Sequence, residues 1–426
     1  MTPLPTLDSP SLAPGDRSSP PRIDPRGATG AEPLLVYVHF PWCLEKCPYC
    51  DFVSYRTERP AIDHEGYADA VIAELDARAD RLSRSSRPFE LASVFFGGGT
   101  PSLWRSQALG RVLSAIVRKL PTTLDVEVTV ECNPTSLEED HARALHDVGV
   151  GRVSIGVQAL DDQRLAFLGR LHDAEGGLRA IERAVRAGIP RVSGDLLYGV
   201  HGQSAEVASE EAGRIADAGA THVSAYNLTI ERGTRFGELA RRGRLPLADD
   251  GDMVTSFFSV DDALAARGLG HYEISNYGAP GQESRHNLGY WRGHAYLGLG
   301  CAAVGAVPDG ERHVRYRNSP LPARYVEAAR ATRGEDLVRE GDLVEQIEEL
   351  TPSMRLRERI MLGLRLASGI DLATAAREVG AEAWPRERQR AAEKLAQRGR
   401  LVRDGDLLRV PRESWVFADD TAACLF

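Results

Sequence analysis

The sequence predicts an α/β fold, in which an open or closed barrel of β/α units is followed by a small α+β domain. The first observation is that six apolar, β-rich runs alternate with helical segments from residue 34 onward. The second is that several helical segments end on a glycine suited to a C′ cap, such as Gly149, Gly188 and Gly219. Near-continuous apolar strands between helices are typical of a parallel sheet with covered faces, and six units favour a barrel over a short doubly wound sheet.

The β/α units follow one another in a regular order. The predicted strands are LLVYVHF (34–40), LASVFFGGG (91–99), VEVTVECN (126–133), RVSIGVQ (152–158), RVSGDLLYG (191–199) and HVSAYNLTI (222–230). The spacing predicts helices near 67–82, 105–119, 137–148, 174–187, 205–218 and 253–267. In barrels of this kind the reactive side chains lie at the C-terminal ends of the strands, so we expect the site there.

The two ends of the chain differ from the barrel domain, which we place at residues 31–300. Residues 1–30 are rich in Pro, Ser and Gly without apolar periodicity, which predicts a disordered tail without a secretory signal. Residues 301–351 are interpreted as a connecting segment. Residues 352–426 contain two helical segments and a hairpin that turns at Asp404-Gly405, which predicts a winged-helix-like domain.

Charge and hydropathy limit the partners of the chain. Winged helices often bind DNA, but the predicted hairpin carries Asp404 and Asp406, and the chain has 52 basic against 61 acidic residues, a net charge of −9. A field of that sign repels phosphate backbones, so we expect no nucleic-acid partner. The sequence contains no stretch of about 18 uninterrupted apolar residues, so it predicts no membrane-spanning helix. The missing secretory signal favours a cytoplasmic protein.

Three of the six cysteines, Cys43, Cys47 and Cys50, form a C-x3-C-x2-C pattern. A cubane iron–sulfur cluster usually takes four cysteines, so three leave one iron open to a further ligand. An open position is typical of catalytic metal sites. The alternatives are a disulfide pair and a structural zinc site with His39 as fourth ligand, although a second C-x2-C is missing. No function is assigned to the scattered cysteines, which are Cys132, Cys301 and Cys424.

Glycine-rich and polar segments occupy the other predicted strand ends. The segment GGGTPS at residues 97–102 lacks the lysine of a phosphate-binding loop, and its glycines allow the backbone to approach a small ligand. Glu131 ends the third strand, Gln158 ends the fourth, Arg170 follows it, and Asp195 lies on the fifth. Each of them alone is compatible with a solvated strand end. At consecutive strands they predict one shared cleft.

The cysteine pattern, with Tyr49 before the third cysteine, resembles the signature of the radical SAM superfamily. The resemblance implies a partial (β/α)6-type barrel, in agreement with the predicted units. It also implies a [4Fe–4S] cluster held by Cys43, Cys47 and Cys50, with S-adenosylmethionine (SAM) on the free iron. In that superfamily the cluster reduces SAM to methionine and a 5′-deoxyadenosyl radical. GGGTPS resembles the segment that holds the amino group of SAM.

The order and spacing of the motifs over residues 34–420 resemble the HemN/HemW subfamily, which comprises oxygen-independent coproporphyrinogen dehydrogenases and related haem chaperones. Carried over by motif, the residues that would contact cluster-bound SAM are Tyr37, Tyr49, Gly98 and Glu131. The residues that would line the same site or a second SAM site are Gly99, Thr100, Gln158, Arg170 and Asp195. Thr229 and Val304 would take part through backbone atoms.

Three features resemble the chaperones more than the dehydrogenases. Phe52 stands where the dehydrogenase pattern has a fourth cysteine, and a longer segment before the first strand is missing. HNLGYW, at His286–Trp291, resembles the H-N-x-x-Y-W motif of the haem-binding chaperones, which implies that His286 takes part in haem binding. One departure is Val304, where those chaperones usually have a histidine.

The resemblance therefore implies a haem chaperone that binds haem and a SAM-ligated cluster and delivers haem to acceptor proteins. Membrane-bound respiratory enzymes are candidate acceptors, and a homodimer is a further expectation. Whether the chain is also an enzyme stays open. The alternative is a coproporphyrinogen III dehydrogenase that decarboxylates its substrate to protoporphyrinogen IX, since the barrel motifs are shared. A third hypothesis is a structural or regulatory metal-binding protein, against which the glycine-rich elements argue.

Overall fold

The computed structural model describes residues 30–83, 88–332, 337 and 340–426. The tail predicted at residues 1–30 lies outside the described residues, apart from Gly30. The strands are β1 (Glu32–Phe40), β2 (Trp42–Cys43), β3 (Tyr55–Arg56), β4 (Phe89–Gly98), β5 (Thr122–Cys132), β6 (Arg152–Gln158), β7 (Arg191–Tyr198), β8 (His222–Asn227), β9 (Gly270–Glu273), β10 (Asn276–Gly278), β11 (Ala295–Leu299), β12 (Val304–Asp309), β13 (Arg312–Asn318), β14 (Val344–Glu349), β15 (Ile370–Asp371), β16 (Val402–Asp404) and β17 (Leu407–Arg409).

Helices alternate with these strands. They are α1 (His64–Leu82), α2 (Ser106–Lys119), α3 (Glu139–Asp147), α4 (Asp162–Phe167), α5 (Ala174–Arg186), α6 (Ala205–Asp217), α7 (Arg235–Arg241), α8 (Asp250–Ala265), α9 (Arg285–Trp291), α10 (Pro322–Ala331), α11 (Pro352–Gly363), α12 (Leu372–Val379), α13 (Arg386–Gln397) and α14 (Ala418–Ala423). Each of the six barrel helices predicted from the spacing is present. Within the described ranges, no helix is long and apolar enough to span a membrane.

One 12-stranded sheet organises the chain, in the order β14-β13-β12-β11-β1-β4-β5-β6-β7-β8-β10-β9. The central strands from β11 to β8 run parallel, and the strands beyond them at either edge are antiparallel. The sheet ends at β14 on one side and β9 on the other, which confirms the expected α/β partial barrel. The predicted six strands are all present, and β11 adds a seventh parallel strand that the glycine-rich sequence did not indicate.

Helices cover the outer face of the sheet. Neighbouring helices contact each other in the series α1, α2, α3, α5, α6 and α8. Gly149, Gly188 and Gly219, each one residue or two beyond a helix, adopt φ values of +105°, +86° and +107°. Only glycine takes this left-handed conformation without steric cost, so the predicted helix ends are confirmed.

The inner face of the barrel is polar, in contrast to the near-continuous apolar strands expected from the sequence. Apolar side chains such as Val128, Val130 and Val153 belong to the buried core under the helices. The residues that alternate with them include a ladder of polar groups that are buried or half-buried. This inner ladder consists of Ser93, Glu127, Thr129, Glu131, Arg152, Ser154, Ser193, Asp195, His222 and Ser224. Successive side chains of a strand lie on opposite faces of the sheet. The polar set therefore lies on the inner face of the barrel.

The C-terminal unit combines α11 to α14 with a small sheet of order β15-β17-β16. Its β16–β17 hairpin turns at Gly405, where φ is +60°, as the sequence predicted. The unit joins the barrel through backbone hydrogen bonds, in which Ile274 N–H donates to Arg365 O and Ala367 N–H to Tyr272 O, both at 3.0 Å. Residues 301–351 contribute β12 to β14 and α10. The domain boundaries given above stay predictions.

Candidate functional site

The three clustered cysteines lie in the loop that leaves β1. All three are free thiols, which disfavours the disulfide alternative, and Cys43 is buried while Cys47 and Cys50 are half-buried. Thr100 Oγ1 donates a hydrogen bond to Cys43 Sγ at 3.4 Å, and Arg170 Nη1 donates to Cys47 Sγ at 3.3 Å. Donors from the segment after β4 and from the turn after α4 therefore hold the cysteine loop against the open end of the barrel.

The structure does not favour His39 as the fourth ligand of a zinc site. Both ring nitrogens of His39 are occupied, since Nδ1 lies 3.1 Å from the Tyr37 hydroxyl and Nε2 lies 2.8 Å from Val53 O. Burial lowers the pKa of His39 to about 4. Nowhere in the described ranges do three His, Cys, Asp or Glu side chains converge as ligands of one ion. A cubane takes its thiolates on three different irons, and three free thiols on one loop fit such a cluster.

The glycines after β4 bring the strand end against the cysteine loop. A Cβ atom on Gly99 would lie 2.7 Å from Trp42 O and 2.8 Å from Phe40 O, which no side chain tolerates. The Gly99 N–H donates to Phe40 O at 2.7 Å. Gly98 has a φ of +108° and donates its N–H to Glu131 Oε2 at 3.0 Å. The glycine segment is therefore needed for close packing here, whatever ligand it also contacts.

Two carboxyl groups of the inner ladder, Glu131 and Asp195, interact electrostatically inside the barrel. Burial raises the pKa of Glu131 to about 7, against the Gly98 hydrogen bond that lowers it, and the charge of Asp195 raises it further. Burial likewise raises the pKa of Asp195 to about 6, although Ser154 Oγ donates to its Oδ1 at 2.9 Å. The pair can thus take up a proton, or a ligand's hydrogen-bond donors, near neutral pH.

Arg170 connects the cysteine loop to the end of β6. Its Nη2 donates to Gly156 O at 2.9 Å, while its buried Nε has no hydrogen-bond partner. Gln158, at the end of the same strand, has a φ of +69°, which is rare for a residue with a side chain. Burial raises the pKa of Tyr49, and the charge of Arg170 opposes that shift. Strain and an unpartnered donor at one strand end are typical of a ligand site.

The structure thus brings most of the predicted site residues to one end of the barrel. Tyr37 joins them from β1, with its ring 6.2 Å from that of Phe95 and burial raising its pKa. Two predicted residues lie further along the sheet. Thr229 is exposed beyond β8, where its Oγ1 donates to Asn227 O at 3.3 Å. Val304 begins β12, with its carbonyl against Gly298.

The segment HNLGYW forms most of the short helix α9. His286 is 1% exposed, its Nδ1 lies 2.8 Å from Ser93 Oγ, and its Nε2 has no hydrogen-bond partner. The imidazole stacks on Phe95 at 4.9 Å and meets the edge of Tyr290 at 4.8 Å. Burial lowers the pKa of His286 to about 3, so the ring is neutral at physiological pH. Neutral imidazole with a free nitrogen is the form that ligates iron.

A buried ion pair of the inner ladder holds α9 in place, which the sequence reading missed. Glu127 Oε1 accepts a hydrogen bond from the His286 backbone N–H at 3.2 Å. Arg152 lies 3.1 Å from Glu127 Oε2 and donates to Gln282 O at 2.8 Å and Glu283 O at 3.1 Å. The signal available in the sequence was the alternation of polar residues in the third and fourth strands.

A cavity of about 3100 Å³ lies between this side of the barrel and the C-terminal unit. Its walls come from β8, β9, α8, α9 and α11, and Tyr290 and Trp291 of the HNLGYW segment line it. His286 itself is not among the lining residues, because it packs behind them against Phe95. Typical ligand pockets measure about 300–1,000 Å³, so this cavity has room for a macrocycle.

Comparisons with known proteins agree with this geometry. Residues 37–212 match the model of the radical SAM superfamily, and residues 350–417 match that of the HemN C-terminal domain. The chain is 36% identical over 311 residues to the heme chaperone HemW of Escherichia coli, which covers 71% of this chain and 80% of that one. It is 33% identical over 405 residues to the heme chaperone HemW of Mycobacterium tuberculosis, covering 95% and 97%.

A solved structure shows the same fold. The coproporphyrinogen III oxidase HemN of Escherichia coli, a radical SAM enzyme, matches with a TM-score of 0.74 at 19% identity, over 93% of this chain and 90% of that one. At that identity the likeness concerns the fold alone. Membership of the superfamily implies SAM and a [4Fe–4S] cluster as cofactors. With the partial barrel, the three-thiol loop and relatives at this level of identity, the chain belongs to the HemW family of the radical SAM superfamily.

Proposed function

We propose that this protein is a haem chaperone that binds haem and delivers it to acceptor proteins. The observation that carries the proposal is the HNLGYW helix, whose Tyr290 and Trp291 line a cavity of about 3100 Å³ beside the barrel. Aromatic walls suit a flat macrocycle. The curated relatives that bear the name heme chaperone support the same assignment. Membrane-bound respiratory enzymes are the acceptors we propose, and a second copy of the chain is a further proposed partner.

In this proposal Cys43, Cys47 and Cys50 would hold the [4Fe–4S] cluster, and SAM would bind beside it. When bound, cluster and SAM supply one-electron chemistry. Arg170 donates to the Cys47 sulfur and so stabilises its negative charge. Glu131, with its carboxyl group near the glycine segment, accepts hydrogen bonds from backbone and ligand donors. Tyr37, Tyr49, Gly99, Thr100, Gln158 and Asp195 would complete the site, with backbone atoms of Thr229 and Val304 at its margin.

His286 is the residue proposed to contact haem iron. Its unpartnered Nε2 and neutral ring support this role, while its position behind Tyr290 requires a side-chain movement when haem enters. Glu127, Arg152 and Ser93 act through His286 as positioning residues, because they fix its backbone and its Nδ1.

One anaerobic experiment separates chaperone from dehydrogenase. The cluster is reconstituted in the full chain, SAM and a reductant are added, and two quantities are measured: turnover of coproporphyrinogen III and stoichiometric binding of added haem. We expect about one haem per chain and no protoporphyrinogen IX. Turnover of coproporphyrinogen III would contradict the chaperone proposal. A reconstituted protein that contains zinc and no iron would contradict both functions.

A further inference from the structure

A group of basic side chains lies in the large cavity directly after the HNLGYW helix. Arg292, His294 and Arg359 all line the cavity, and we refer to them as the cationic cluster. They are close neighbours, since a Cβ atom on the intervening Gly293 would lie only 2.3 Å from Arg359 Cδ. The charges of Arg292 and Arg359 both contribute to lowering the pKa of His294, after the larger effect of burial, to about 3.

The cluster contains two arginines, of which one is paired with a carboxylate in contact. Arg359 Nη2 pairs with Glu378 Oε2 at 2.9 Å. Arg292 makes no ion pair or hydrogen bond through its guanidinium to any residue that the structure describes, and Glu283 acts on it only at longer range. Burial accordingly lowers the pKa of Arg292. Arg292 is half-buried, and a partly desolvated cation without a paired carboxylate is complementary to an anion.

A second observation concerns His294. Its Nε2 is buried and has no hydrogen-bond partner. A neutral imidazole can donate one hydrogen bond from this nitrogen, and a guanidinium donates a planar fork that matches a carboxylate. An unpartnered imidazole nitrogen and a guanidinium with no carboxylate in contact therefore lie within two residues of each other on the cavity wall.

We propose that the cationic cluster binds the propionate carboxylates of haem, with Arg292 as the main contact and His294 and Arg359 beside it. The inference rests on the proposed function, because it assigns the orientation of the cargo in the cavity. The aromatic side chains of Tyr290 and Trp291 would then face the macrocycle, while the carboxylates lie toward α11. The choice of carboxylate over other anions follows from the aromatic walls, which accept a flat apolar body attached to the anion.

The test compares haem with haem dimethyl ester, whose carboxylates carry no charge. Both are titrated into the full-length, cluster-reconstituted chain, and binding is followed by visible absorption. We expect wild type to bind haem about tenfold or more tightly than the diester, since a charge-assisted hydrogen bond is lost. The affinity of the Arg292→Gln variant for haem should fall by about the same factor, and its affinity for the diester should not change. Arg390→Gln, which removes the same charge from an exposed position on α13, should behave as wild type.

The outcomes separate the two proposals. If wild type binds neither compound, both the haem chaperone function and the carboxylate site are overturned. If wild type binds haem but Arg292→Gln binds it equally well, or loses haem and diester alike, only the carboxylate site is overturned. Arg292→Lys serves as a second variant, because it keeps the charge and loses the fork. We expect it to bind haem with an affinity between those of wild type and Arg292→Gln.

Discussion

The guanidinium of Arg170 lies 3.3 Å from the sulfur of Cys47 and donates a hydrogen bond to it. The two residues are 123 positions apart in the sequence and meet because the β1 loop and the segment after β6 reach the same end of the barrel. A cation that donates to a thiolate stabilises the more negative state of a metal centre bound there.

Replacing Arg170 with Gln should therefore make the cluster harder to reduce. Loss of one charge-assisted hydrogen bond corresponds to a fall in reduction potential of up to about 60 mV for one electron. A redox titration of the reconstituted cluster measures the change. Arg170→Lys keeps the charge and should shift the potential less; equal potentials for wild type and Arg170→Gln would exclude this role.

The three clustered thiols should be required for iron binding. Cys47→Ser removes one thiolate, so we expect loss of most iron and of the visible absorption of the cluster. Iron and sulfide per chain, measured after anaerobic reconstitution, test this. The matched control is Cys424→Ser, which changes an exposed thiol in the C-terminal unit. Unchanged iron in Cys47→Ser would remove this residue from the ligand set.

The pH dependence of SAM binding should follow Glu131. Its pKa is raised to about 7, above the usual value for the unfolded chain, so the folded protein holds this proton between about pH 4.5 and 7. Ionisation creates the stronger hydrogen-bond acceptor, and SAM affinity should rise up to about tenfold from pH 6 to pH 8. Without SAM the pH dependence has the opposite sign. The stability of the folded protein falls as the pH rises through 7, because the charge of the ionised Glu131 carboxylate is then uncompensated.

Calorimetric titration with SAM at several pH values checks this dependence. Glu131→Gln should flatten the profile around pH 7. A remaining dependence near pH 6 would be assigned to Asp195, whose pKa is raised to about 6 by burial. If Glu131→Gln and wild type show the same profile, another group controls the binding.

His286 should be needed for haem binding. Replacing His286 with Ala removes the free Nε2 nitrogen, and we expect loss of haem retention together with a changed visible spectrum of any haem still bound. His146→Ala, on an exposed helix end, is the control. Haem retention and transfer at wild-type levels would remove His286 from the site.

The buried pair Glu127–Arg152 should be important for stability as well as for the position of α9. Both side chains are at most 2% exposed, and Arg191 also lies 3.4 Å from Glu127. Glu127→Ala leaves these guanidinium groups without their carboxylate, which should lower the free energy of unfolding by about 3–5 kcal/mol. Urea denaturation measures the loss. Glu182→Ala breaks the exposed pair with Arg186 and should change little; equal losses in both variants would contradict this expectation.

The sequence by itself determined the local elements and the ligand chemistry. The helices and the six strands followed from apolar periodicity and glycine ends, because these patterns act over one or two turns of chain. The C-x3-C-x2-C loop, with Tyr49 before the third cysteine, indicated the superfamily through its resemblance to the known signature. Phe52 and the HNLGYW segment then predicted a chaperone and not a dehydrogenase.

Only the tertiary structure decided which distant groups meet. Gly98 with Glu131, Thr100 with Cys43 and Arg170 with Cys47 depend on strand order, which the sequence does not encode locally. The structure also placed His286 behind the cavity wall and showed the buried support of Glu127 and Arg152. Burial raised the pKa of Glu131 and lowered that of Arg292, and burial is a property of packed neighbours rather than of any residue alone.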